Sequence, residues 1–196
     1  MPLFGAVIMI FLKRHSLLIF IIAISILLAI LSENTIELFQ YKRSLIIDCE
    51  LWRIITGHFV HNGWEHLWLN ILALIIIYLL IFPYVNIQIL WTSFIVSCLG
   101  ISLFLFMFMD ELEWYVGLSG VLHSLLTLGS IAAIINGRKE FFILLFFIFA
   151  KVIFEQFYGS LSQNFTEIEG TIIVNAHLYG VIIGLCISPI LWLKKN

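Results

Sequence analysis

Six stretches of this chain stay apolar for about 17 to 23 residues at a time, and nothing else about it limits the fold so tightly. A hydrocarbon layer of roughly 30 Å is crossed by about 20 such residues at a rise of about 1.5 Å each. In lipid the backbone must satisfy its own N–H and C=O groups, so only helices or closed barrels can span it. The runs are too long for barrel strands and show no alternation of period two, so they read as helices. They fall at 15–31, 64–82, 87–109, 114–136, 141–158 and 171–193. Asp110, Glu111 and Glu113 part the third from the fourth, Gly137 to Glu140 part the fourth from the fifth, and Pro83 and Asn86 supply a turn between the second and third. The expected architecture is one all-α membrane domain of six transmembrane helices covering residues 1–196.

Composition agrees. Charged residues make up 11% of the chain, against about 25% in a soluble domain whose surface must face water. A formal net charge of −2 argues against a nucleic-acid partner. The three cysteines are scattered, with neither metal-ligand spacing nor a disulfide framework. The first run follows Lys13 and Arg14 as a signal peptide would, but it lacks a small-residue cleavage site and more spans follow, so it reads as a retained helix.

Basic residues orient the bundle. With the N-terminus inside, the cytoplasmic segments carry Lys13, Arg14, Arg138, Lys139, Lys194 and Lys195. The outer loops carry only Lys42, Arg43 and Arg53, beside Glu33, Glu37, Asp48, Glu50, Asp110, Glu111, Glu113, Glu167 and Glu169. Both termini are therefore expected in the cytoplasm. The long first outer loop contains Leu51-Trp52-Arg53-Ile54-Ile55, an apolar stretch suited to lying in the outer leaflet.

Polar groups inside a membrane are costly, and four sets call for a reason. Gly117-Leu118-Ser119-Gly120 reads either as a helix-packing site or as a nucleophile with room around it for a substrate backbone. His177, Gly180 and Gly184 share one helical face, a seam of small residues with a histidine at its outer end. That histidine either bonds structurally to a neighbouring helix or serves a side chain on it. His66 and Asn70, four residues apart, share a face and can both donate hydrogen bonds, as an oxyanion site or as interhelical glue. Lys151 and Glu155, also four apart, read as an ion pair, with substrate contact or gating by their helix as the alternative. Depth links the first three sets. Asn70 lies five residues beyond Glu65, Ser119 six beyond Glu113 and His177 eight beyond Glu169. Each is thus roughly 8–12 Å below its last acidic residue, and a nucleophile, a base and two donors at one level favour catalysis.

These residues resemble a known family. Trp52-Arg53, the His58/His61/His66/Asn70 cluster, Gly-Leu-Ser119-Gly and Ala-His177-Leu-Tyr-Gly180-Val-Ile-Ile-Gly184 are similar to the rhomboid intramembrane serine proteases in motif order and topology. The resemblance implies Ser119 as nucleophile and His177 as general base, with no carboxylate third member. It implies an oxyanion site made by His66, Asn70 and the Ser119 backbone N–H, and it places Trp52-Arg53 in a membrane-immersed first loop. A narrower likeness is to the bacterial rhombosortases, through Asp48-Cys49-Glu50-Leu51-Trp52-Arg53, Gly-Leu-Ser119-Gly-Val-Leu-His123, Lys151…Glu155-Gln156 and Ala-His177-Leu-Tyr-Gly. It implies C-terminal sorting tails as substrates (a Gly-Gly motif, a transmembrane helix and a basic cluster), cut at the periplasmic face of the inner membrane. Ser124 stands where the family commonly has glycine.

His123, four residues after Ser119, is an alternative base, although its i,i+4 position suits it better to packing on the His177 ring. No metal or other cofactor is expected: His58, His61 and His66 form no HExxH pattern, and the first two are expected in the loop. The rival functions are a catalytically inactive rhomboid-like binding protein and, further off, a transporter using Lys151 and Glu155, for which the two halves show no repeat.

Overall fold

The computed structural model describes residues 2–31, 34–160 and 172–193. Glu33, Glu167, Glu169, Lys194 and Lys195, and the opening residue of the sixth run, lie outside the described residues. The chain is an all-α membrane protein with one small strand ladder.

Helix α1 (Pro2–Arg14) leads into α2 (Ser16–Leu31). The first loop then holds α3 (Asn34–Phe39), strand β1 (Tyr41–Lys42), α4 (Arg43–Ile47) and α5 (Arg53–Thr56). The long helices α6 (Gly63–Ile81) and α7 (Ile87–Phe108) follow, then strand β2 (Trp114–Tyr115) and α8 (Ser119–Ile135). The chain continues through α9 (Phe141–Tyr158), α10 (Val174–Ile187) and α11 (Ile190–Leu193). Helices α6, α7 and α9 are long and apolar enough to cross a membrane, while α2, α8 and α10 are apolar but shorter.

Two differences from the expected runs have local causes. Residues 114–118 are not helical, because Trp114 and Tyr115 pair antiparallel with Lys42 and Tyr41 and Gly117 takes a positive φ of 115°. The fourth helix therefore opens at Ser119, five residues later than its apolar run. At the far end of the chain α10 stops at Ile187, since Pro189 has no N–H to continue the ladder, and helix resumes only at Ile190.

Helix α8 is the axis of the bundle, buried along most of its length from Gly120 to Ala133. Its contact with α10 is backbone on backbone. A Cβ added at Gly180 would lie 2.0 Å from the Gly120 carbonyl oxygen, and one at Gly184 2.6 Å from that of Ser124. Reciprocally, a Cβ on Gly120 would lie 2.7 Å from the Ala176 oxygen. Gly180 and Gly184 thus face the α8 backbone directly, and small residues let helices close to this range. Ser124 fits there without glycine: it is fully buried and its hydroxyl lies 2.7 Å from that of Ser97 on α7. Of the three membrane-length helices, α9 is the least enclosed. It turns Phe142, Phe146, Phe147 and Phe157 outward and meets the bundle through Ile148 and Val152 against Val181.

The first loop is folded, not loose. Arg53 is buried (3% exposed), with Nε 2.7 Å from the Glu50 carboxylate and Nη1 donating to the carbonyls of Glu37 and Gln40. Thr56 donates to the Phe39 carbonyl at 2.7 Å, and Arg43 donates to the carbonyl of Phe106 at the end of α7. Leu51 and Trp52 are left exposed on its outer side.

The seam makes a graded prediction. Overpacking costs about 1–3 kcal/mol where neighbours cannot move. Gly180→Ala meets a backbone oxygen, whereas Gly100→Ala meets the Ile183 side chain, its flexible Cδ1 nearest at 2.8 Å. Thermal unfolding in detergent should show the larger loss for Gly180→Ala, and equal losses would refute the backbone contact.

Candidate active site

Ser119 is placed by the segment before it. The Tyr115 hydroxyl donates to the Gly117 carbonyl at 2.7 Å, and the Gly117 N–H donates to Gly57 of the first loop at 3.0 Å. Gly117 is required twice over: its φ of 115° suits glycine, and a Cβ there would lie 2.8 Å from His66 Cε1. The loop thereby delivers Ser119 as the first residue of α8. The opening N–H groups of a helix have no partner within it and carry the positive end of its dipole, so the Ser119 backbone N–H is a donor beside its own hydroxyl.

His177 comes from the opposite side of the glycine seam. Its ring is buried (4% exposed), with Nε2 2.9 Å from Ser119 Oγ. Its other nitrogen, Nδ1, lies 2.8 Å from Glu155 Oε2. The resemblance implies no carboxylate third member, and here α9 turns Glu155 inward, its side chain 1% exposed, onto the back of the imidazole. Lys151 pairs with the other carboxylate oxygen at 2.8 Å and also lies 3.2 Å from His123 Nε2. His123 stacks on His177, with ring centroids 4.3 Å apart and planes 18° from parallel. Its Nδ1 lies 2.7 Å from the Ser119 carbonyl oxygen. His123, Glu155 and His177 present ligand atoms within 4.8 Å of one another, a spacing open to a metal ion, but the Lys151 ammonium already supplies the positive charge on that cluster.

His66 and Asn70 line a cavity of about 230 Å³ together with Ser119, His123, Lys151 and His177. Leu69, Ala73, Ile77, Leu122 and Leu126 make its walls apolar. His66 Nδ1 accepts from the Asn62 N–H at 3.3 Å, which leaves the ring proton on Nε2. The Asn70 amide nitrogen carries two donors, one of which goes to the His66 carbonyl at 2.9 Å. This arrangement can deprotonate a hydroxyl and face donors towards the oxygen of a carbonyl attacked by it.

Other residues named from the sequence lie elsewhere. Arg53 is internal to the first loop, and Trp52 is exposed on it. His58 is buried against α7, with Nε2 3.0 Å from the Cys98 carbonyl and 3.1 Å from Ser102 Oγ. His61 Nδ1 lies 3.1 Å from the Phe59 carbonyl. Burial, the largest influence, lowers the pKa of His58 to about 4 and that of His61 to about 3, so both rings are neutral fixtures of the loop. The contact of Glu155 with His177 was not legible in the sequence.

Against known proteins, the family model of the Rhomboid domain matches residues 48–194. No curated protein matches the chain.

The two loop histidines predict acid lability. Their folded pKa values lie below the unfolded value of about 6.5, so the unfolded chain binds more protons as pH falls. The stability they contribute is complete above about pH 6.5 and drains away towards pH 4, at up to about 1.4 kcal/mol per pH unit for each ring. Thermal unfolding should fall across that window and fall less steeply in His61→Phe. An identical slope in the variant would contradict the assignment.

Proposed function

The chain belongs to the rhomboid family, whose members are generally intramembrane serine proteases, and we propose that it is one, with Ser119 as nucleophile and His177 as general base. The observation that carries this reading is the 2.9 Å approach of Ser119 Oγ to His177 Nε2 at the edge of a cavity flanked by two further donors. Histidine is the side chain whose ordinary pKa best suits proton exchange near neutrality.

The reaction is amide hydrolysis in two halves. His177 Nε2 takes the Ser119 proton as Oγ bonds to the scissile carbonyl carbon, and the carbonyl electron pair moves onto its oxygen. The Ser119 N–H, His66 Nε2–H and the Asn70 amide face that oxygen. The pair returns, the C–N bond breaks, and the leaving amine takes the proton from His177, leaving an ester on Ser119. His177 then deprotonates a water that adds to the ester, and collapse frees the carboxylic acid product and restores the Ser119 hydroxyl. Lys151 and Glu155, which a transporter would need for its cargo, are engaged with His123 and His177.

The six apolar runs and the basic residues favour six spans with both termini in the cytoplasm, and the likeness to the rhombosortases favours a site towards the periplasm of a bacterial inner membrane. In support, Ser119 opens α8 while Arg138 lies just past its other end. A substrate must offer extended backbone, which a transmembrane helix resists and glycines ease. On the family's likeness, single-span membrane proteins are the substrate class, and the narrower likeness to the rhombosortases favours tails with a Gly-Gly motif, a membrane segment and a basic cluster.

A reporter carrying such a tail, expressed in membranes with the protein, tests this. Wild type should cut it, Ser119→Ala should not, and Asn70→Ala should slow cutting about 10²–10³-fold, the usual cost of one oxyanion donor. Activity should persist in strong chelator. Cutting by Ser119→Ala, or its loss with chelator, would overturn the assignment.

A further inference from the structure

We propose that Glu155 is a positioning residue that sets the proton on the correct nitrogen of His177, and that Lys151 in turn holds Glu155 in the orientation this requires. The inference rests on the protease reading above and goes beyond a two-residue site.

A neutral imidazole has one N–H and one bare nitrogen, and the partner of one nitrogen decides the state of the other. Nε2 must be bare to accept from Ser119 Oγ, 2.9 Å away. The proton then belongs on Nδ1, deep in the protein, where it needs an acceptor. Glu155 Oε2 is that acceptor, at 2.8 Å. An ionised carboxylate can only accept, so it admits a single tautomer of the ring beside it.

A carboxylate buried to 1% exposure in a membrane bundle has to be compensated. Lys151 lies one turn away on α9 and donates to Oε1 at 2.8 Å. Its ammonium lies 3.2 Å from His123 Nε2, and His123 Nδ1 lies 2.7 Å from the Ser119 carbonyl, which can only accept. The protons can therefore be assigned in one way. Ser119 O–H donates to His177, whose Nδ1–H donates to Glu155. Lys151 donates to both Glu155 and His123, and His123 Nδ1–H returns to the Ser119 backbone. Five hydrogen bonds close a ring that begins and ends on the nucleophile, with no donor facing a donor. His123 is thereby committed at both nitrogens, which removes it as the base.

Lys151 makes the consequence of an isosteric change specific. In Glu155→Gln the lysine needs an acceptor and takes the amide oxygen, which turns the amide NH₂ towards His177 Nδ1. That nitrogen must then be bare, the proton moves to Nε2, and the ring faces Ser119 with a donor. In Glu155→Gln/Lys151→Met the amide is free to turn its oxygen to His177, and the working tautomer returns.

Wild type and both variants, labelled with ¹⁵N-histidine in lipid nanodiscs, would be compared by NMR for the His177 tautomer and by the rate of fluorophosphonate attack on Ser119. Glu155→Gln should reverse the tautomer and slow labelling about 10²–10⁴-fold, the range of general-base catalysis and of a wrong-tautomer histidine. The double variant should restore the tautomer and recover at least about tenfold of the rate. A merely structural ion pair would move neither readout towards wild type on losing its second member. Glu155→Gln with an unchanged tautomer, or within about threefold of the wild-type rate, would overturn the proposal, as would a double variant no faster than the single one. Reversal of the tautomer in a protein whose wild type never labels would support the positioning role and locate the failure in the nucleophile reading.

Discussion

The site depends on how closely α8 and α10 approach. A serine hydroxyl reaches only one bond beyond Cβ, so a base on a neighbouring helix can touch it only if the two backbones nearly meet. Gly120, Gly180 and Gly184 make that possible by putting no side chain between carbonyl and Cα on either helix. Lipid supplies no hydrophobic force to push helices together, so such contacts rest on close packing and on polar links. The buried hydroxyls of Ser97 and Ser124, 2.7 Å apart, tie α7 to the same seam.

Around this fixed pair the remaining elements differ in grip. The first loop grips firmly: Arg53 binds three of its segments together, and the Gly57 carbonyl holds the Gly117 N–H just ahead of the nucleophile. Helix α9 is held more lightly, burying Phe141, Ile148, Val152 and Glu155, with Lys151 and Glu155 as its polar links to the site. Its ionic pair is poor material for stability, because desolvation offsets much of its attraction. Bonded onward to His123 and His177, it serves orientation instead, fixing one rotation of α9 against α10.

The sequence revealed most where one helix decides the outcome. Apolar length announced α6, α7 and α9, and i,i+4 spacing announced both the Lys151–Glu155 pair and the shared face of His66 and Asn70. It misled at the start of α8, where Trp114 to Leu118 are apolar enough to continue a helix but are held out of it by pairing with β1. It was silent on Glu155 and His177, whose contact depends on how two helices are rotated about their own axes. Arg53 read as the one cation of an apolar loop stretch, and only the fold shows its guanidinium spent on Glu50 and on backbone carbonyls.

The central claim is that the Ser119 hydroxyl is the oxygen made nucleophilic by His177. Mapping a fluorophosphonate adduct by peptide mass spectrometry tests it most directly, using wild type and a folded His177→Ala variant. The account predicts one adduct, on Ser119, in wild type and none in the variant. An adduct on any other residue, or equal labelling of the two proteins at Ser119, would contradict it.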